Sequence, residues 1–559
     1  TLNLNDEFER CAFEGFENNI SRTEHSNTYN GTIQYGTAGF RTKSDILDHV
    51  LFRMGILATL RSRAKNAAIG VMITASHNEE PDNGVKLVDP AGEMLESSWE
   101  SIATEVANAA DSELVEILRR IVKDHSINES SPATVIVGRD TRLSSPALAS
   151  AALQGIDAAG GVSKDYGVIT TPQLHYLVVL TNTEKRESIE IEEYYRKLGT
   201  AFESAHSSGK DNEKYVGEVI VDAANGVGAI AAKEFAERLK SILTMKIFNE
   251  GNNSLNHNCG ADYVKMRQAP PSNVPVIHNA RCVSIDGDAD RIVYYYVDET
   301  EKFHLLDGDR IATLTAVYLK ELIEASGLDV QLGIVQTAYA NGASTAYISE
   351  VLVIPVACVS TGVKHLHHRA LEFGIGVYFE ANGHGTVVFK DSVVEKIRQA
   401  AVDSNITETR RAAASKLANL VDVINQVVGD ALSDMLLVET ILHSKGWDLA
   451  TWERSYADFP NRQLKVRVRD RNVIATTDAE RKCVAPKGLQ EKIDELTALY
   501  SKGRSFVRPS GTEDVVRVYA ECENPAEVEK LAARVSLAVY ELADGVGPEP
   551  VTVLNKQQG

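Results

Sequence analysis

The chain has 559 residues, of which 58 are basic and 78 acidic, giving a formal net charge of −20. Apolar residues make up 43% and charged residues 24%, a balance ordinary for globular proteins that excludes a mainly disordered chain, a collagen and a coiled-coil rod. The acidic excess argues against broad attraction to nucleic acid or to an anionic membrane, so neither is expected as a partner.

Cysteine usage and the N-terminal sequence indicate a reducing compartment. The six cysteines include no CxxC pair, so we expect reduced thiols rather than a disulfide or zinc framework. No run of 18 apolar residues occurs, and the opening segment TLNLNDEFER lacks the apolar region of a secretory signal. We therefore expect a cytoplasmic protein without a spanning helix.

A short strand, a turn of small residues and a helix recur along the chain. The pattern occupies residues 134–160, 218–240 and 332–352. In the first stretch we expect Pro146 at the first helical position and Ser145 as the cap. Three related α/β units are therefore predicted, with coincidence as the alternative, because strand–Gly–helix units are common in α/β proteins.

The C-terminal part of the chain has a different pattern. Residues 391–430 are predicted to be helical and amphipathic. Further on, β-like runs such as RQLKVRVRD alternate with helical runs such as LQEKIDELTALYSKG. This alternation predicts a small α+β domain at the C-terminus.

The segment 71–89, VMITASHNEEPDNGVKLVD, runs from an apolar strand into a turn that carries a hydroxyl. Ser76 in this turn is a candidate nucleophile or phosphoryl carrier. His77 is a candidate base, and Lys86 lies further along, in a segment that could return towards the serine. The alternative is plain turn chemistry, which a Ser-His-Asn sequence shows more often than a catalytic site.

The string IDGDADR at 285–291 places three carboxylates, Asp286, Asp288 and Asp290, at alternate positions between two apolar runs. Carboxylates this close repel one another unless a cation lies among them. Hard oxygen ligands in a short loop suit Mg²⁺ or Ca²⁺. Arg291 stands where an EF-hand needs glycine, which argues against an EF-hand. The alternative is a solvated acidic turn.

The string VYFEANGHGTVVF at 377–389 places Glu380, Asn382 and His384 in a glycine-rich turn between two β-like runs. Carboxylate and amide groups on such a turn are suited to binding sugar hydroxyls. The alternative is an ordinary hairpin built on Asn-Gly, which is a strong turn signal in its own right.

The string SFVRPSGTEDVVRVY at 505–519 combines guanidinium, hydroxyl and loop-amide donors. They come from Arg508, Ser510, Gly511 and Thr512, with Arg517 close if the loop folds back on its strand. Backbone N–H donors in a concave turn, together with the planar guanidinium of an arginine, are the groups that bind a phosphate. The alternative is a Pro-Ser-Gly turn beside a surface arginine.

Two weaker strings supply further basic groups. YGTAGFR at 35–41 carries Arg41, and TGVKHLHHR at 361–369 carries Lys364 with a cluster of histidines. The sequence has no Walker A motif and no GxGxxG after a strand. Nucleotide binding is therefore disfavoured.

Taken together and in this order, the strings YGTAGFR, TASHN, DGDADR, FEANGHG and RPSGTE resemble the α-D-phosphohexomutase superfamily. Within it, the sequence is most similar to the eukaryotic phosphoacetylglucosamine mutase family, because Asn382 stands where other branches commonly carry Ser. One departure is that Pro81 follows two glutamates, whereas many relatives place Pro directly after the Asn of TASHN.

The resemblance implies an α/β fold of four domains around a central cleft, three similar mixed α/β units plus a smaller C-terminal α+β domain. The expected spans are 1–185 with the phosphoserine loop, 186–300 with the metal-binding loop, 301–452 with the sugar-binding loop and 453–559 with the phosphate-binding loop. The implied reaction interconverts N-acetylglucosamine 6-phosphate and N-acetylglucosamine 1-phosphate, on the route to UDP-N-acetylglucosamine.

The resemblance also implies roles for individual residues. Ser76 carries the phosphoryl group, and Lys86 is the general base. Mg²⁺ is held by Asp286, Asp288 and Asp290, with a phosphoserine oxygen of Ser76 as a further ligand. A sugar bisphosphate is the implied intermediate and activator. Substrate binding is assigned to Glu380, Ala381, Asn382, Arg508, Pro509, Ser510, Gly511, Thr512 and Arg517.

Several alternatives stay open. A mutase of the same fold could act on glucose or mannose phosphates, a metal-dependent phosphatase would release inorganic phosphate, and a catalytically silent sensor would only bind the sugar phosphate. Arg41 and Arg139 are alternative cationic groups for neutralising the transferring phosphoryl group. The expected partner is a small-molecule sugar phosphate, and the oligomeric state is not assigned.

Overall fold

The structure is a computed structural model that describes residues 25–36, 38–184, 186, 188–206, 210–510 and 514–550. The chain folds into two compact units. Unit 1 comprises Thr1–Leu305 and Asn419–Asp448, and unit 2 comprises Leu306–Ala418 and Leu449–Gly559. Both units contain β-sheets together with α-helices, so the α/β fold predicted from the sequence is confirmed.

The first sheet of unit 1 has five strands in the order β1-β3-β2-β4-β5. They are β1 (Phe40–Lys43), β2 (Ile69–Ile73), β3 (Asp82–Val88), β4 (Thr134–Arg139) and β5 (Val162–Val168). β2, β4 and β5 run parallel, whereas β3 is antiparallel to β1 and β2. β2 is buried along its whole length, as expected for a strand covered on both faces.

Five helices accompany this sheet: α1 (Asp48–Lys65), α2 (Ser97–Asn108), α3 (Asp111–Asp124), α4 (Ser145–Ala158) and α5 (Thr171–Glu184). α1 and α4 approach closely at two glycines. A Cβ atom at Gly55 would lie 2.1 Å from the carbonyl oxygen of Ala152, and one at Gly155 would lie 1.9 Å from that of Phe52. Glycine at both positions therefore lets the alanine-rich α4 lie against α1.

The second sheet of unit 1 has the order β10-β9-β8-β6-β7. Its strands are β6 (Glu218–Asp222), β7 (Thr244–Phe248), β8 (Cys282–Ile285), β9 (Ile292–Val297) and β10 (Phe303–Leu306), and its helices are α6 (Glu192–Ala205), α7 (Gly228–Leu239) and α8 (Ala261–Arg267). β6 is parallel to β7 and β8, and β9 is antiparallel to β8. The metal-loop string therefore forms the connection from β8 to β9.

The third sheet belongs to unit 2 and has the order β12-β11-β13-β14. Its strands are β11 (Leu332–Thr337), β12 (Val356–Val359), β13 (Ile375–Phe379) and β14 (Gly385–Phe389). Its helices are α9 (Gly308–Ser326), α10 (Gly342–Ala346), α11 (Val363–Ala370) and α12 (Asp391–Val402). The next helix, α13 (Glu408–Val423), begins in unit 2, and its residues from 419 onwards belong to unit 1. β11, β12 and β13 are parallel, and β14 is antiparallel to β13.

Helix α14 (Ala431–Lys445) belongs to unit 1, although it follows the third sheet in sequence. The backbone N–H of Ala431 donates a hydrogen bond to the carbonyl oxygen of Ala289, between β8 and β9, at 3.0 Å. Further along, the buried carboxylate of Glu439 pairs with Arg281 at 2.9 Å. α14 therefore supports the second sheet and its metal-loop connection.

The fourth sheet, in unit 2, is antiparallel with the order β15-β19-β18. Its strands are β15 (Asn461–Arg467), β18 (Arg504–Pro509) and β19 (Val515–Glu521), and a separate hairpin joins β16 (Ala475–Thr477) to β17 (Lys482–Ala485). The helices of this region are α15 (Leu449–Glu453), α16 (Leu489–Thr497) and α17 (Pro525–Leu542). The predicted C-terminal α+β arrangement is confirmed.

The three predicted strand–turn–helix stretches are present as β4 with α4, β6 with α7, and β11 with α10. The cap prediction at Ser145 is wrong. The helix begins at Ser145 with Ser144 before it, which makes Pro146 its second residue rather than its first. The Ser145 hydroxyl donates to Asp140 at 2.7 Å, and its oxygen accepts from the Asn83 side-chain amide at 3.0 Å, so tertiary partners use the group that would have capped the helix. The four domain spans remain predictions.

Two further expectations concern cysteines and membranes. The five cysteines in the described part of the chain have free thiols, and four of them are buried, as predicted for reduced thiols. Among the helices that the structure describes, none has the length and apolar character needed to cross a membrane.

Candidate active site

Ser76 lies in the loop that follows β2, and its backbone adopts a left-handed conformation. Its φ angle is 52°, in a region that costs a non-glycine residue about 1–2 kcal/mol. The Ser76 N–H donates to the Thr74 hydroxyl at 2.9 Å, and the Asn78 N–H donates to the carbonyl oxygen of Ala75 at 3.0 Å. Local turn hydrogen bonds therefore help to hold the strained serine.

A buried guanidinium, that of Arg142, binds the backbone of this serine loop. Arg142 lies in the loop after β4, next to β2 in the parallel part of the sheet, so the two loops leave from the same edge. Its Nε donates to Asp140 at 3.0 Å, and Asp140 also accepts from the Thr74 hydroxyl at 2.8 Å. Its terminal nitrogens donate to carbonyl oxygens, at distances between 2.6 and 3.1 Å, of Ser76, Asn78, Glu79 and Asp82.

The serine loop also contacts the second sheet directly. The side-chain amide of Asn256 donates to the carbonyl oxygens of Ser76 and Asn78 at 2.8 and 2.9 Å. A Cβ atom at Gly287 would lie 2.7 Å from the carbonyl oxygen of Ser76 and 2.7 Å from the side-chain amide nitrogen of Asn256. The absence of a side chain at Gly287 therefore allows the metal loop to touch the serine loop.

The three aspartates of the metal loop converge as the sequence predicts. Asp286, Asp288 and Asp290 are buried, and each offers a carboxylate oxygen within 4.8 Å of the others. The Ser76 hydroxyl donates to Asp286 Oδ2 at 2.8 Å. The fold thus brings together a candidate phosphoryl carrier and candidate metal ligands that lie 210 residues apart in sequence.

The electrostatics of this cluster favour a cation. Burial, together with the charges of Asp290 and Asp288, raises the pKa of Asp286 well above its usual range. Burial also acts to raise the pKa of Asp288, but Lys86 and the Thr171 hydroxyl help to bring the net pKa of Asp288 below its ordinary value. Asp288 Oδ1 is buried and accepts no hydrogen bond from the residues described. An all-oxygen donor set of this kind fits Mg²⁺.

Lys86 lies beside the same carboxylates. Its Nζ is 3.0 Å from Asp288 Oδ2 and 3.2 Å from Asp290 Oδ2, and the side chain is buried. Burial acts to lower the pKa of Lys86, but the two carboxylates outweigh it and the net pKa is raised. Lys86 is therefore protonated in this arrangement and offsets part of the acidic charge. Its role as a general base remains a prediction.

Further cationic groups lie around the triad. Arg41 is half-buried near Arg291 and the three aspartates, and the loss of solvent around it lowers its pKa. Arg291 pairs with Asp262 at 3.0 Å. His77 lies nearby, and burial, aided by Arg291, lowers its pKa to about 3. His77 is therefore neutral at neutral pH, while the arginines concentrate positive charge locally in an acidic chain.

The FEANGHG string forms the turn between β13 and β14. The Glu380 N–H donates to the carbonyl oxygen of His384 at 2.8 Å, and the Asn382 amide donates to the Glu380 carboxylate at 3.3 Å. Glu380, Ala381 and Asn382 are partly exposed, whereas His384 is buried. A Cβ atom at Gly308 would lie 1.9 Å from the Glu380 oxygen, so the start of α9 lies against the turn. The turn presents its carboxylate and amide to solvent.

Arg508 and Arg517 lie opposite each other on the antiparallel strands β18 and β19. Cross-strand partners share one face of a sheet, and like charges directly opposite repel. A bound anion would offset that repulsion. This pair is the structural feature of the C-terminal domain that supports a phosphate site.

The loop between these strands is only partly described. Pro509 ends β18, and Ser510 is buried with its N–H donating to the carbonyl oxygen of Val515 at 2.9 Å. Gly511 and Thr512 lie outside the described residues. The predicted roles of all four loop residues remain predictions.

Sequence reasoning missed three groups that hold the serine loop: Arg142, Asp140 and Asn256. The first two stand just after β4 in the string GRDTR, whose first two residues end that strand. This position could have marked them, since loops after neighbouring parallel strands meet at one sheet edge. Arg139, the arginine that the sequence analysis chose from this string, lies 3.6 Å from Asp165. No sequence signal pointed to Asn256.

Three models of known domain families match the chain. The model "Phosphoglucomutase/phosphomannomutase, alpha/beta/alpha domain I" matches residues 56–114 and 100–186. The model "Phosphoacetylglucosamine mutase AMG1, domain III" matches residues 307–447. The model "Phosphoglucomutase/phosphomannomutase, C-terminal domain" matches residues 464–538.

Curated relatives and solved structures are similar over nearly the whole chain. The phosphoacetylglucosamine mutase of Sus scrofa is 53% identical over 524 residues, and that of Homo sapiens is 52% identical, each alignment covering 93% of this chain and 96% of the relative. The Aspergillus fumigatus N-acetylphosphoglucosamine mutase in complex with GlcNAc-6P and magnesium superposes with a TM-score of 0.90 at 45% identity, covering 95% of this chain and 99% of its own. An N-acetylglucosamine-phosphate mutase in its substrate complex gives a TM-score of 0.89 at 45% identity, with coverages of 94% and 99%. The chain therefore belongs to the phosphoacetylglucosamine mutase family of the α-D-phosphohexomutase superfamily.

Proposed function

We propose that this chain interconverts N-acetylglucosamine 6-phosphate and N-acetylglucosamine 1-phosphate through a phosphoserine enzyme and a sugar bisphosphate, on the route to UDP-N-acetylglucosamine. The observation that carries the proposal is the 2.8 Å contact between Ser76 Oγ and Asp286 within a buried cluster of three carboxylates. Buried like charges are costly unless a cation offsets them. The relatives named phosphoacetylglucosamine mutase, one of them solved with GlcNAc-6P and magnesium, support this function.

The proposed reaction consists of two phosphoryl transfers. In the first, a free hydroxyl oxygen of the sugar phosphate forms a bond to phosphorus, the bond from phosphorus to Ser76 Oγ breaks, and the released Oγ takes up a proton. The hydroxyl proton passes to a base. Lys86 is the candidate, and it fills this role only after it has given up the proton that Asp288 and Asp290 favour on it. The resulting bisphosphate then reorients. In the second transfer Ser76 Oγ loses its proton and bonds to the phosphorus of the other phosphoryl group, the bond from that phosphorus to the sugar oxygen breaks, and this oxygen takes up a proton to give the product hydroxyl. Positioning and charge stabilisation account for most of the catalysis in such transfers.

The residues around Ser76 have complementary tasks in this proposal. Asp286, Asp288 and Asp290 would hold Mg²⁺, which supplies Lewis-acid neutralisation of phosphoryl charge when bound. Arg142 keeps the backbone of the serine loop in place through its carbonyl contacts. Arg41 and Arg291 add positive charge close to the acidic cluster.

Substrate recognition is proposed for unit 2. The opposed guanidiniums of Arg508 and Arg517 favour an anion on the fourth sheet. The partly exposed carboxylate and amide of the β13–β14 turn suit sugar hydroxyls. The phosphate of the sugar phosphate is assigned to Arg508, Pro509, Ser510, Gly511, Thr512 and Arg517, and the sugar hydroxyls to Glu380, Ala381 and Asn382.

The experiment that tests this function follows the phosphoryl group. The chain is incubated with Mg²⁺ and glucose 1,6-bisphosphate carrying labelled phosphate, and the labelled peptide is mapped. We expect label on Ser76 alone, and none on the Ser76→Ala variant. Ser101→Ala, at an exposed position of α2, is the matched control and should label like the wild type. Label on another residue would contradict the mechanism.

Substrate preference separates the proposed enzyme from its rivals. We expect faster turnover of N-acetylglucosamine phosphates than of glucose or mannose phosphates, whereas a phosphoglucomutase or phosphomannomutase would show the reverse. A phosphatase would release inorganic phosphate as its main product. A silent sensor would bind the sugar phosphate without turnover after priming with a bisphosphate.

The cellular setting completes the proposal. A small-molecule sugar phosphate is the proposed partner, with no nucleic acid or membrane involved, and the cytoplasm is the proposed location. The free thiols of the described cysteines agree with a reducing compartment. Fractionation of cells that express the tagged protein checks the location, and recovery in the secreted fraction would contradict it.

A further inference from the structure

Arg508, the proposed phosphate ligand, has a carboxylate partner that the sequence analysis did not consider. Its Nε donates to Oε1 of Glu480 at 2.9 Å, and both side chains are mostly buried, with exposed fractions of 21% for Arg508 and 16% for Glu480. Glu480 lies in the turn between β16 and β17, in the same unit as Arg508. A charge-assisted hydrogen bond at such a site constrains the plane of the guanidinium.

The second oxygen of Glu480 holds another loop. Oε2 accepts a hydrogen bond from the backbone N–H of Thr361 at 3.0 Å and one from the Thr361 hydroxyl. Thr361 lies in the loop between β12 and α11, and Lys364 is the second residue of that helix. One carboxylate therefore joins three separate segments of unit 2: the β16–β17 turn, the β12–α11 loop and the end of β18.

The β16–β17 turn is an unusual piece of backbone. Three successive residues, none of them glycine, have positive φ angles: 52° at Asp478, 53° at Ala479 and 67° at Glu480. Left-handed backbone is unfavourable for each of them, and such strain persists only where the surroundings impose it. The contacts made by the Glu480 side chain supply such a constraint, because they tie the end of the strained run to two other loops.

Two roles are compatible with a carboxylate at this place: it could occupy the phosphate position until substrate displaces it, or it could hold the arginine in place. The contact uses only Nε, which carries one of the five N–H donors of a guanidinium. A phosphate bound by the two terminal nitrogens would leave the Glu480 contact intact. The geometry therefore favours the role in which Glu480 holds the Arg508 side chain in place over the role in which Glu480 competes with phosphate.

We propose that Glu480 is a positioning residue for substrate binding: it fixes the guanidinium plane of Arg508 so that the terminal nitrogens bind the phosphate of the sugar phosphate, and it fastens the Thr361 loop to the same point. This inference rests on the proposed function, in which Arg508 binds that phosphate. Glu480 acts through Arg508 and does not touch the substrate.

The test uses the full chain and the variant Glu480→Gln, which keeps the size of the side chain and removes its charge. KM for N-acetylglucosamine 6-phosphate should rise about tenfold, the range expected for loss of a charge-assisted hydrogen bond, while kcat at saturating substrate changes little. Glu491→Gln, at an exposed position on α16, makes the same charge change and should leave KM unaltered. The inhibition constant of inorganic phosphate should rise in parallel with KM.

A double-mutant cycle with Arg508→Lys separates positioning from other effects. Lysine keeps the positive charge but has no guanidinium plane and no Nε–H that could donate to Glu480. In the Arg508→Lys background, Glu480→Gln should therefore raise KM by less than about twofold. Such a reduced effect is the signature of coupled residues. Full additivity would overturn the proposal. An unchanged KM, with or without a lower melting temperature, would overturn it, and so would a lower KM, which would identify Glu480 as a competitor of phosphate.

The outcome is separable from that of the proposed function. Binding of inorganic phosphate and of N-acetylglucosamine 6-phosphate is also measured by calorimetry, which needs no turnover. If the wild type binds these anions but does not interconvert the sugar phosphates, the proposed function fails. Weaker binding in Glu480→Gln alone would still support the positioning role of Glu480.

Discussion

Replacement of Arg142 by methionine tests whether the hydrogen bonds from this buried guanidinium hold the backbone of the serine loop in place. Arg142 has a fully buried side chain that pairs with Asp140 at 3.0 Å and donates to four carbonyl oxygens of the loop. Methionine fills similar space but has no donor. Arg142→Met therefore leaves the buried carboxylate of Asp140 without its cationic partner.

The structure sets the size of the effect. Breaking a buried ion pair by removing one partner costs about 3–5 kcal/mol. The carbonyl oxygens of Ser76 and Asn78 keep Asn256 as a donor, and that of Glu79 keeps the Asp82 N–H. Three of the four carbonyl groups therefore retain a donor, and their lost contacts add little to that figure. The loop is nevertheless released on one side, and a shift of about 1 Å at a reacting group can lower the rate about 100-fold.

Urea unfolding and single-turnover phosphorylation of Ser76 measure the two effects. We expect Arg142→Met to lose about 3–5 kcal/mol of unfolding free energy and about 100-fold in transfer rate. The control Arg120→Met removes an exposed pair with Glu105 and should cost less than about 1 kcal/mol. Adding Asp140→Asn to Arg142→Met should restore part of the stability, because the lone buried charge is gone.

The reasoning would be refuted by an Arg142→Met protein that unfolds like the wild type and transfers phosphate at the wild-type rate. Lost stability with an unchanged transfer rate would refute the positioning argument alone. In that case Asn256 and the local turn hydrogen bonds would suffice to hold Ser76.

Three further predictions concern the same unit. Gly287→Ala should reduce Ser76 phosphorylation strongly, because the new Cβ would lie 2.7 Å from the Ser76 carbonyl oxygen; unaltered labelling would contradict the close contact. Mg²⁺ at 100 times its Kd should stabilise the wild type by about 2.7 kcal/mol, and Asp288→Asn should lose most of that gain in a thermal shift assay. Burial lowers the pKa of His206 to about 4, so the native state disfavours its protonation: stability is complete above about pH 6.5 and falls as the pH drops towards 4, by about 3 kcal/mol at most. His206→Phe should flatten this part of the stability–pH curve, and an unchanged slope would show that other groups cause it.

The chemistry of the site could be predicted from the sequence where the side chains act directly. Ser76 and the aspartates stand in short strings whose residue types match phosphoryl transfer and magnesium. The fold places the Ser76 hydroxyl 2.8 Å from Asp286 and the three carboxylates within 4.8 Å of one another. The strands and helices of the three strand–turn–helix stretches were also predicted correctly, since their apolar patterns are local. Each of these signals lies within a few consecutive residues.

The supporting contacts could not be predicted in the same way. Arg142 and Asn256 bind backbone carbonyl groups, which every residue has, so their partners leave no trace in the sequence. Glu480 reaches Arg508 and Thr361 across gaps of 28 and 119 residues. Ser145 was predicted to cap a helix, but it is the first residue of that helix, and Asp140 and Asn83 use its hydroxyl. Tertiary distances decide all four cases.

Helix α14 has a consequence for the order in which the polypeptide acquires its structure during synthesis. N-terminal domains commonly fold while the ribosome is still working, but the second sheet depends on a helix encoded by residues 431–445. Until that segment emerges, Arg281 lacks Glu439 and the Ala289 carbonyl lacks its donor. The second sheet therefore cannot form all its contacts during synthesis until more than a hundred further codons have been translated.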